Sequence, residues 1–341
     1  MALDVEAPDP DPLELDRLRI ARPTKGVDVD RAASGDRGLP YEPVDITRGE
    51  IAGEPAVALR STADRPNAFG LLREAVAETF SRRRLIRYLV QADLKKKGSD
   101  TVLGNIWWVL DPLLQMAVYV ILVTVIFQRT QPDYPLFIFA AILPWKWFTS
   151  TIYDGITSVV GQERLIKQIQ FPKIILPTAS TVAGIANFIF GLVALAGLLI
   201  VFYSDRASWH LVYIPVIAAV QFVFTLAFAL VVSAVNVFFR DVANVSRHAL
   251  RLWFYLSPGL YGSAAIATLH EKNPIVARIM EINPFYTFFE SYRAVIYGHA
   301  SGGPTQPLWG HLAAWGLGSV VFLALATLLF KRLEPAFATV L

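Results

Sequence analysis

The sequence predicts an all-α membrane protein with six transmembrane helices, an N-terminal amphipathic interface helix and an external re-entrant helix before the last span. Three observations carry that reading. Hydrophobic residues make up 54% of the 341 positions, charged residues only 17%, and the mean hydropathy is +0.45, too apolar for a water-soluble fold. Six apolar stretches each approach the ~20 residues needed to cross ~30 Å of hydrocarbon. Lys and Arg gather in alternate connections between them, which orients the chain.

Residues 1–69 hold eight of the 21 prolines and 9 Lys/Arg against 14 Asp/Glu, without an apolar run of useful length. Such a segment cannot offset its ordering entropy by burial, so a disordered acidic cytoplasmic tail is expected there. It carries no secretory signal, which requires an apolar core near the start. Over 70–99, Leu72, Ala75, Val76, Thr79 and Phe80 recur at helical spacing, followed by Leu85, Ile86, Leu89 and Val90. Arg82, Arg83, Arg84, Arg87, Lys95, Lys96 and Lys97 are interleaved with them. A basic run also suits nucleic acid, but one placed just before a membrane span is better explained as a helix lying among lipid headgroups. No nucleic-acid partner is therefore expected.

The membrane domain then occupies 100–341, with spans expected near Ile106–Phe127, Leu136–Val160, Thr178–Tyr203, Leu211–Phe239, Leu250–Thr268 and Leu308–Phe330. Arg82 to Lys97, then Arg164, Lys167 and Lys173, then Arg240, Arg247 and Arg251, and finally Lys331 and Arg332 fall on one side. The opposite short loops hold only Arg129 and Arg206. Both termini are expected in the cytoplasm and the chain in the cytoplasmic (inner) membrane. The long external connection contains a segment opened by Asn283 and Pro284 and closed by Gly298, too short and polar to cross alone. A re-entrant or interfacial helix is expected, tolerable at membrane depth only against protein or a wet cavity.

Several chemistries lack their residues. Without cysteine there is no disulfide, Cys-bound metal or palmitoylation site. No Gly-Lys pair occurs, so no phosphate-binding loop of the Gly-x-x-x-x-Gly-Lys-Ser/Thr type is present. His210, His248, His270, His299 and His311 are scattered and suggest no metal site. Asp111, Asp154, Asp241 and Glu290 are spread over separate elements, which argues against a membrane glycosyltransferase.

In order along the chain stand Leu103-Gly104-Asn105-Ile106-Trp107-Trp108-Val109-Leu110-Asp111-Pro112, Leu143-Pro144-Trp145, and Leu165-Ile166-Lys167 with Phe171-Pro172-Lys173. Leu176-Pro177, Phe239-Arg240-Asp241, and Asn283-Pro284 with Arg293 follow. From about Phe80 onward this series resembles the permease subunits of ATP-binding-cassette polysaccharide exporters, which move lipid-linked O-antigen, teichoic acid or galactan. The resemblance implies a homodimer of six-span subunits above two separate ATPase subunits. ATP and Mg would be bound by that partner, and this chain would hold no cofactor and catalyse nothing itself. Lys146 stands where relatives more usually carry an uncharged polar residue. Within the same transport class, an exporter of small drugs or lipids is the alternative.

The residues themselves suggest three sites. Glu163, Arg164, Leu165, Ile166 and Lys167, with Phe171 and Pro172 and with Arg240 and Asp241, form a charged, amphipathic, Pro-bounded element on the cytoplasmic side. Arg164 and Lys167 could pair with acidic groups of the ATPase while Leu165, Ile166 and Ile169 fill an apolar slot in it; the bland alternative is a topological charge marker. Trp107, Trp108, Tyr119, Lys146, Trp253, Tyr255 and Tyr261 are candidates for a sugar conduit, because sugars stack their C–H faces on aromatic rings; interfacial belts and core packing explain the same aromatics equally well. Lys146 and Asp154 share roughly one helical face, where a charge is a functional candidate by default. Asn283, Pro284, Glu290 and Arg293 mark a gate at the re-entrant helix, where Glu290 and Arg293, three apart, are expected to pair.

Overall fold

The computed structural model describes residues 67–98, 104–128, 131–298 and 303–341. The tail expected over 1–69 lies outside them as far as residue 66, as do Leu103 and Arg129. The described chain is helical, with no strand among the described residues. Five helices are long and apolar enough to cross a membrane: Trp107–Ile126, Tyr134–Ser158, Ile175–Phe202, Trp209–Phe238 and Trp309–Val340.

In place of one interface helix over 70–99 there are two, α1 (Ala68–Ser81) and α2 (Arg83–Gly98), meeting at Arg82. The first packs on the last long helix and the second on the third. The crossing helices follow the expected segments closely. α3 (Trp107–Val120) continues as a π-helical turn to Ile126. α4 is Tyr134–Ser158, with Pro135 in its first turn where no N–H is needed. The short α5 (Glu163–Gln168) precedes α6 (Ile175–Phe202), and α7 is Ile214–Phe238.

The fifth expected span, Leu250–Thr268, is not a continuous helix. α8 (Val242–Leu256) stops at Ser257, six residues run without helix, and α9 (Ser263–Lys272) starts afresh. Pro258 and Gly259 lie in that interruption, and a helix cannot be propagated well through such a pair. Hydropathy alone reads across the gap because the gap is itself apolar. α10 (Pro274–Ile282), α11 (Pro284–Ile296), α12 (Trp309–Leu333) and α13 (Phe337–Val340) complete the chain.

α4 is the central helix. It packs on α3, α6, α7, α8 and α11, and Leu136 to Trp145 are all buried. The Pro144 carbonyl accepts a bond from the buried Gln221 Nε2 of α7 (2.8 Å), tying a polar group into an apolar contact. Small residues let the backbones come close, as is usual between helices in lipid. A Cβ added at Gly184 of α6 would lie 2.1 Å from the hydroxyl of Thr151, and one at Gly155 would lie 3.1 Å from the Cβ of Ala229.

The two ends of the bundle are each closed by polar contacts. At one end Arg206 Nη2 donates to Asp133 (2.7 Å), its guanidinium lies over the Tyr297 ring, and Tyr297 donates to the Pro132 carbonyl (2.9 Å). Here Gly298 turns with φ +72°, and any Cβ would collide with the Gly303 carbonyl. At the other end Lys331 sits between Glu78 (2.8 Å) and Glu334 (3.1 Å), while Glu334 also accepts the Lys173 amide (2.5 Å). Burial pushes the Glu78 carboxyl above its usual range, although Lys331 pulls the other way.

Gly184→Ala should destabilise the fold by about 1–3 kcal/mol, the usual cost of overpacking. Thermal unfolding in detergent would measure it, and the double variant with Thr151→Ala, which removes the clashing hydroxyl, should recover most of the loss. Additive losses in the two variants would show that this contact does not set the α4–α6 distance.

Candidate functional site

Two regions gather the sequence-predicted residues. The first lies where α5 follows α4, on the end bearing Lys173 and Lys331. α5 is one and a half turns long, closed by Lys167 donating to Glu163 (2.7 Å) and to the Leu341 carbonyl (2.8 Å). The Lys167 ammonium, helped by the charges of Arg240 and Arg164, holds the Glu163 carboxyl below the usual carboxylate range. A depressed value means the pair supports the fold above the unfolded carboxyl's titration and is lost as pH falls through the folded one. Ile166 of α5 and Val237 of α7 belong to one apolar cluster, which puts the α7–α8 turn at the same end of the bundle as α5.

At that end Arg164, Lys167, Arg240 and Asp241 are exposed, together with Ile169 (53%) and Phe239 (67%). Leu165, Phe171 and Pro172 are half-buried. Ile166, expected to fill a partner's slot, is instead only 5% exposed, in an apolar cluster of this chain that includes Val159, Ile174, Leu176 and Val237. The helical phase explains it. In a helix this short one face must anchor on the bundle, and Ile166 is the apolar residue on that face. The outward apolar residues are Ile169, just beyond the last turn, and Phe239, which the sequence places in a motif with Arg240 and Asp241 but not among the coupling candidates.

The second region surrounds α4, α8 and α11. Trp145, Phe148, Trp253, Phe254, Phe285 and Phe289 form an aromatic core with centroid separations of 4.7–6.3 Å, mostly edge to face. Asn283 organises its edge. Its Oδ1 caps α11 by accepting from the Phe285 amide (3.0 Å) and also accepts from Trp253 Nε1 (3.0 Å), while its Nδ2 donates to Ser257 Oγ (2.7 Å). Pro284 takes the first helical position.

Arg293 of α11 is 2% exposed and reaches into the gap between α8 and α9. Nη1 donates to the carbonyls of Pro258 (2.6 Å) and Tyr261 (3.2 Å) and to Glu290 (2.9 Å). Nη2 donates to the Gly259 carbonyl and Nε to that of Phe137 (3.4 Å), whose ring lies 3.9 Å beneath the guanidinium. The carbonyls released by the helix break thus converge on one cation. The expected Glu290–Arg293 pair is present, and the backbone acceptors, invisible to sequence reasoning, outnumber it.

The conduit candidates separate into two sets. Trp107, Trp108 and Lys146 line a cleft of about 440 Å³ that also meets Lys97, Trp147, Asp154 and Asn187. Tyr119, Tyr255 and Lys146 line a second, of about 470 Å³, with Asp111 and Arg251. Lys146 and Asp111, ion-paired, belong to both. Trp253 and Tyr261 line neither; the first belongs to the aromatic core and the second lends its carbonyl to Arg293. Asp154 is held not by Lys146 but by Lys97 of α2 (2.6 Å), which also contacts Asp93 (2.9 Å). Among the described residues no His, Asp or Glu cluster is placed to hold a metal.

Five long apolar helices, with a further apolar stretch broken and clamped, define a multi-pass helical membrane protein. The chain belongs to the ABC-2 type transporter family, which matches residues 84–297. It is 34% identical over 263 residues to the O-antigen export system permease protein RfbA of Myxococcus xanthus, covering 77% of this chain and 97% of that protein. Two Klebsiella pneumoniae proteins of the same name are 28% identical over 201 residues and 26% over 221. These alignments cover 58% and 62% of this chain and 77% and 85% of the relatives.

Arg293→Ala should remove stable protein. Several buried carbonyls and Glu290 lose their donor together, and breaking a buried charge pair alone costs about 3–5 kcal/mol. Arg293→Lys should rescue little, because a point ammonium cannot serve a fork of acceptors. Both are read by the yield and unfolding temperature of the monodisperse protein; a wild-type unfolding temperature for Arg293→Ala would refute the clamp.

Proposed function

We propose that this chain is the permease subunit of an ATP-driven exporter that passes a lipid-linked polysaccharide across the cytoplasmic membrane. The observation that carries the reading is the 34% identity to an O-antigen export permease across 97% of that protein's length. The chain works as a homodimer of six-span subunits over two copies of a separate ATPase, which binds ATP and Mg. The fifth crossing is the α8–α9 pair with its break, and α11 dips back into the outer leaflet before α12. Both termini face the cytoplasm, in keeping with the Lys and Arg distribution.

The face built from α5 and the α7–α8 turn receives the motion of the ATPase. Its charges and the outward Ile169 and Phe239 offer an anchor-and-rim pattern of the kind that dominates interface energies. Ile166 secures α5 to the bundle from behind, so displacement of the face is transmitted to α4 and α6. The conduit is lined by the α3, α4 and α8 aromatics, and the glycan stacks on them as it moves. Depletion of the chain should cause lipid-linked glycan to accumulate inside the cell; an exporter of drugs or small lipids would leave that pool unchanged.

Two measurements test the mechanics. Gln168→Cys, on an exposed site of a cysteine-free chain, should react with an impermeant thiol reagent only from the cytoplasmic side. Labelling from outside would reverse the topology. Ile169→Asp combined with Arg164→Glu should leave the permease folded but weaken co-purification of the ATPase by tenfold or more, since truncating a buried interface anchor typically costs ~2 kcal/mol. Wild-type co-purification and export would reduce this face to a topological signal.

A further inference from the structure

Residues 334–341, which follow α12, make contacts that a membrane crossing does not require. Glu334 is 7% exposed, and its Oε1 accepts the Lys173 amide (2.5 Å) in the connection between α5 and α6. Its Oε2 meets Lys331 of α12 (3.1 Å), which also bonds Glu78 of α1 (2.8 Å). Phe337 is fully buried, its ring edge-on to Phe330 of α12 at 5.3 Å and to Phe238 of α7 at 6.0 Å. It shares one apolar cluster with Ile166 of α5 and with Ile174, just ahead of α6. Beyond α13 the Leu341 carbonyl accepts from Lys167 of α5 (2.8 Å).

These contacts matter because α5 cannot hold itself. It has six residues, and a helix that short does not persist in water without tertiary support, since the cost of its first turn is barely offset by the bonds that follow. Its place is therefore set by what stands behind it. Of its own apolar residues only Ile166 is buried, and Phe337 belongs to the cluster that receives it. The Lys173 amide lies just ahead of α6, where a backbone N–H lacks a helical acceptor, so the Glu334 carboxylate serves as a cap delivered from another helix. The segment thus grips the α5–α6 connection at both ends, Lys167 and Lys173, with an apolar plug between. α12 does not need these contacts to stay in the bundle, because it packs along α7 and also on α1 and α11.

We infer that residues 334–341 form a strap that positions α5, with Glu334 and Phe337 as its positioning residues, so that a displacement of α5 is delivered to α12 as well as to α6. This role rests on the reading of the α5 face as the surface that receives the ATPase. It adds a second route by which movement enters the bundle, through the last crossing.

The test uses the full-length permease in nanodiscs with a nitroxide on Gln168→Cys, an exposed position at the end of α5 in a chain with no other cysteine. Phe337→Ala and Glu334→Ala should each mobilise that label, while a label on Ala207→Cys, at the other end of the bundle, keeps its wild-type spectrum. Phe337→Leu, which keeps the plug apolar, and Glu334→Gln, which keeps an acceptor for the Lys173 amide, should restore most of the order. In cells, the two alanine variants should lower glycan export roughly tenfold, the scale of one lost anchor, with the ATPase still co-purifying. Glu334→Ala keeps the test valid if Phe337→Ala fails to fold. An unchanged Gln168 spectrum in a folded variant, equal loosening at both labels, or wild-type export from a chain with a loosened α5 would overturn the strap. Failure of the coupling reading itself shows elsewhere, as wild-type co-purification of the ATPase by the Ile169→Asp, Arg164→Glu protein, and leaves the label spectra to report on the strap alone.

Discussion

The architecture depends on how a broken helix is made tolerable where there is no water. When α8 stops at Ser257 its last carbonyls, and those of the linking residues, lose their helical partners in surroundings that offer none. Most helices avoid the problem by continuing. This one solves it with the Arg293 guanidinium, which collects Pro258, Gly259 and Tyr261 on one side and Phe137 of α4 on another. Glu290 balances the charge at 2.9 Å. The result joins α4, α8, α9 and α11 at a single buried point, and the aromatic core beneath it is assembled by that junction. Asn283 does the same work one step further along, capping α11 while bonding Trp253 and Ser257.

Legibility in the sequence followed the range of the interaction. The long crossings were readable because each is a local property, twenty or so apolar residues between charged loops, and both boundaries of each of the first four predicted spans fall within a few residues of the observed ones. The Asn283–Pro284 helix start and the Glu290–Arg293 pair are likewise local, fixed by cap chemistry and by a three-residue spacing. Pro258 and Gly259 were readable as a helix breaker, but the expected span ran across them, since mean hydropathy does not register a lost hydrogen bond. The backbone acceptors of Arg293 lie 32 to 156 residues away, and no pattern in α11 points to them.

The same distinction explains the candidate sites. Charges on α5 were readable from composition, but which apolar residue turns inward is decided by the helix's phase against the bundle. Ile166 therefore went to the core, and Ile169 and Phe239 carry the outward apolar surface. Lys146 and Asp154 were marked from sequence as costly residues on roughly one face of the second span. Their partners, Asp111 on α3 and Lys97 on α2, come from outside that helix, and only the packing reveals them.

Burial is distributed unevenly among the crossing helices. α4 is buried over most of its length, whereas α3 leaves Leu114, Val118, Ile121 and Val125 exposed along one side. The ion pair shared by the two clefts joins these helices, with Asp111 58% and Lys146 32% exposed at the side chain. An exposed pair of that kind contributes little, about 0–1 kcal/mol, so α3 is held on the bundle chiefly by apolar packing, with Val109, Leu113 and Met116 against the core. The clamp on Arg293 is the opposite case, fully desolvated and multiply bonded, and separation there would leave several orphaned polar groups. α4 is therefore the firmly held element of the bundle, and α3 meets it along the two clefts that share the Lys146–Asp111 pair.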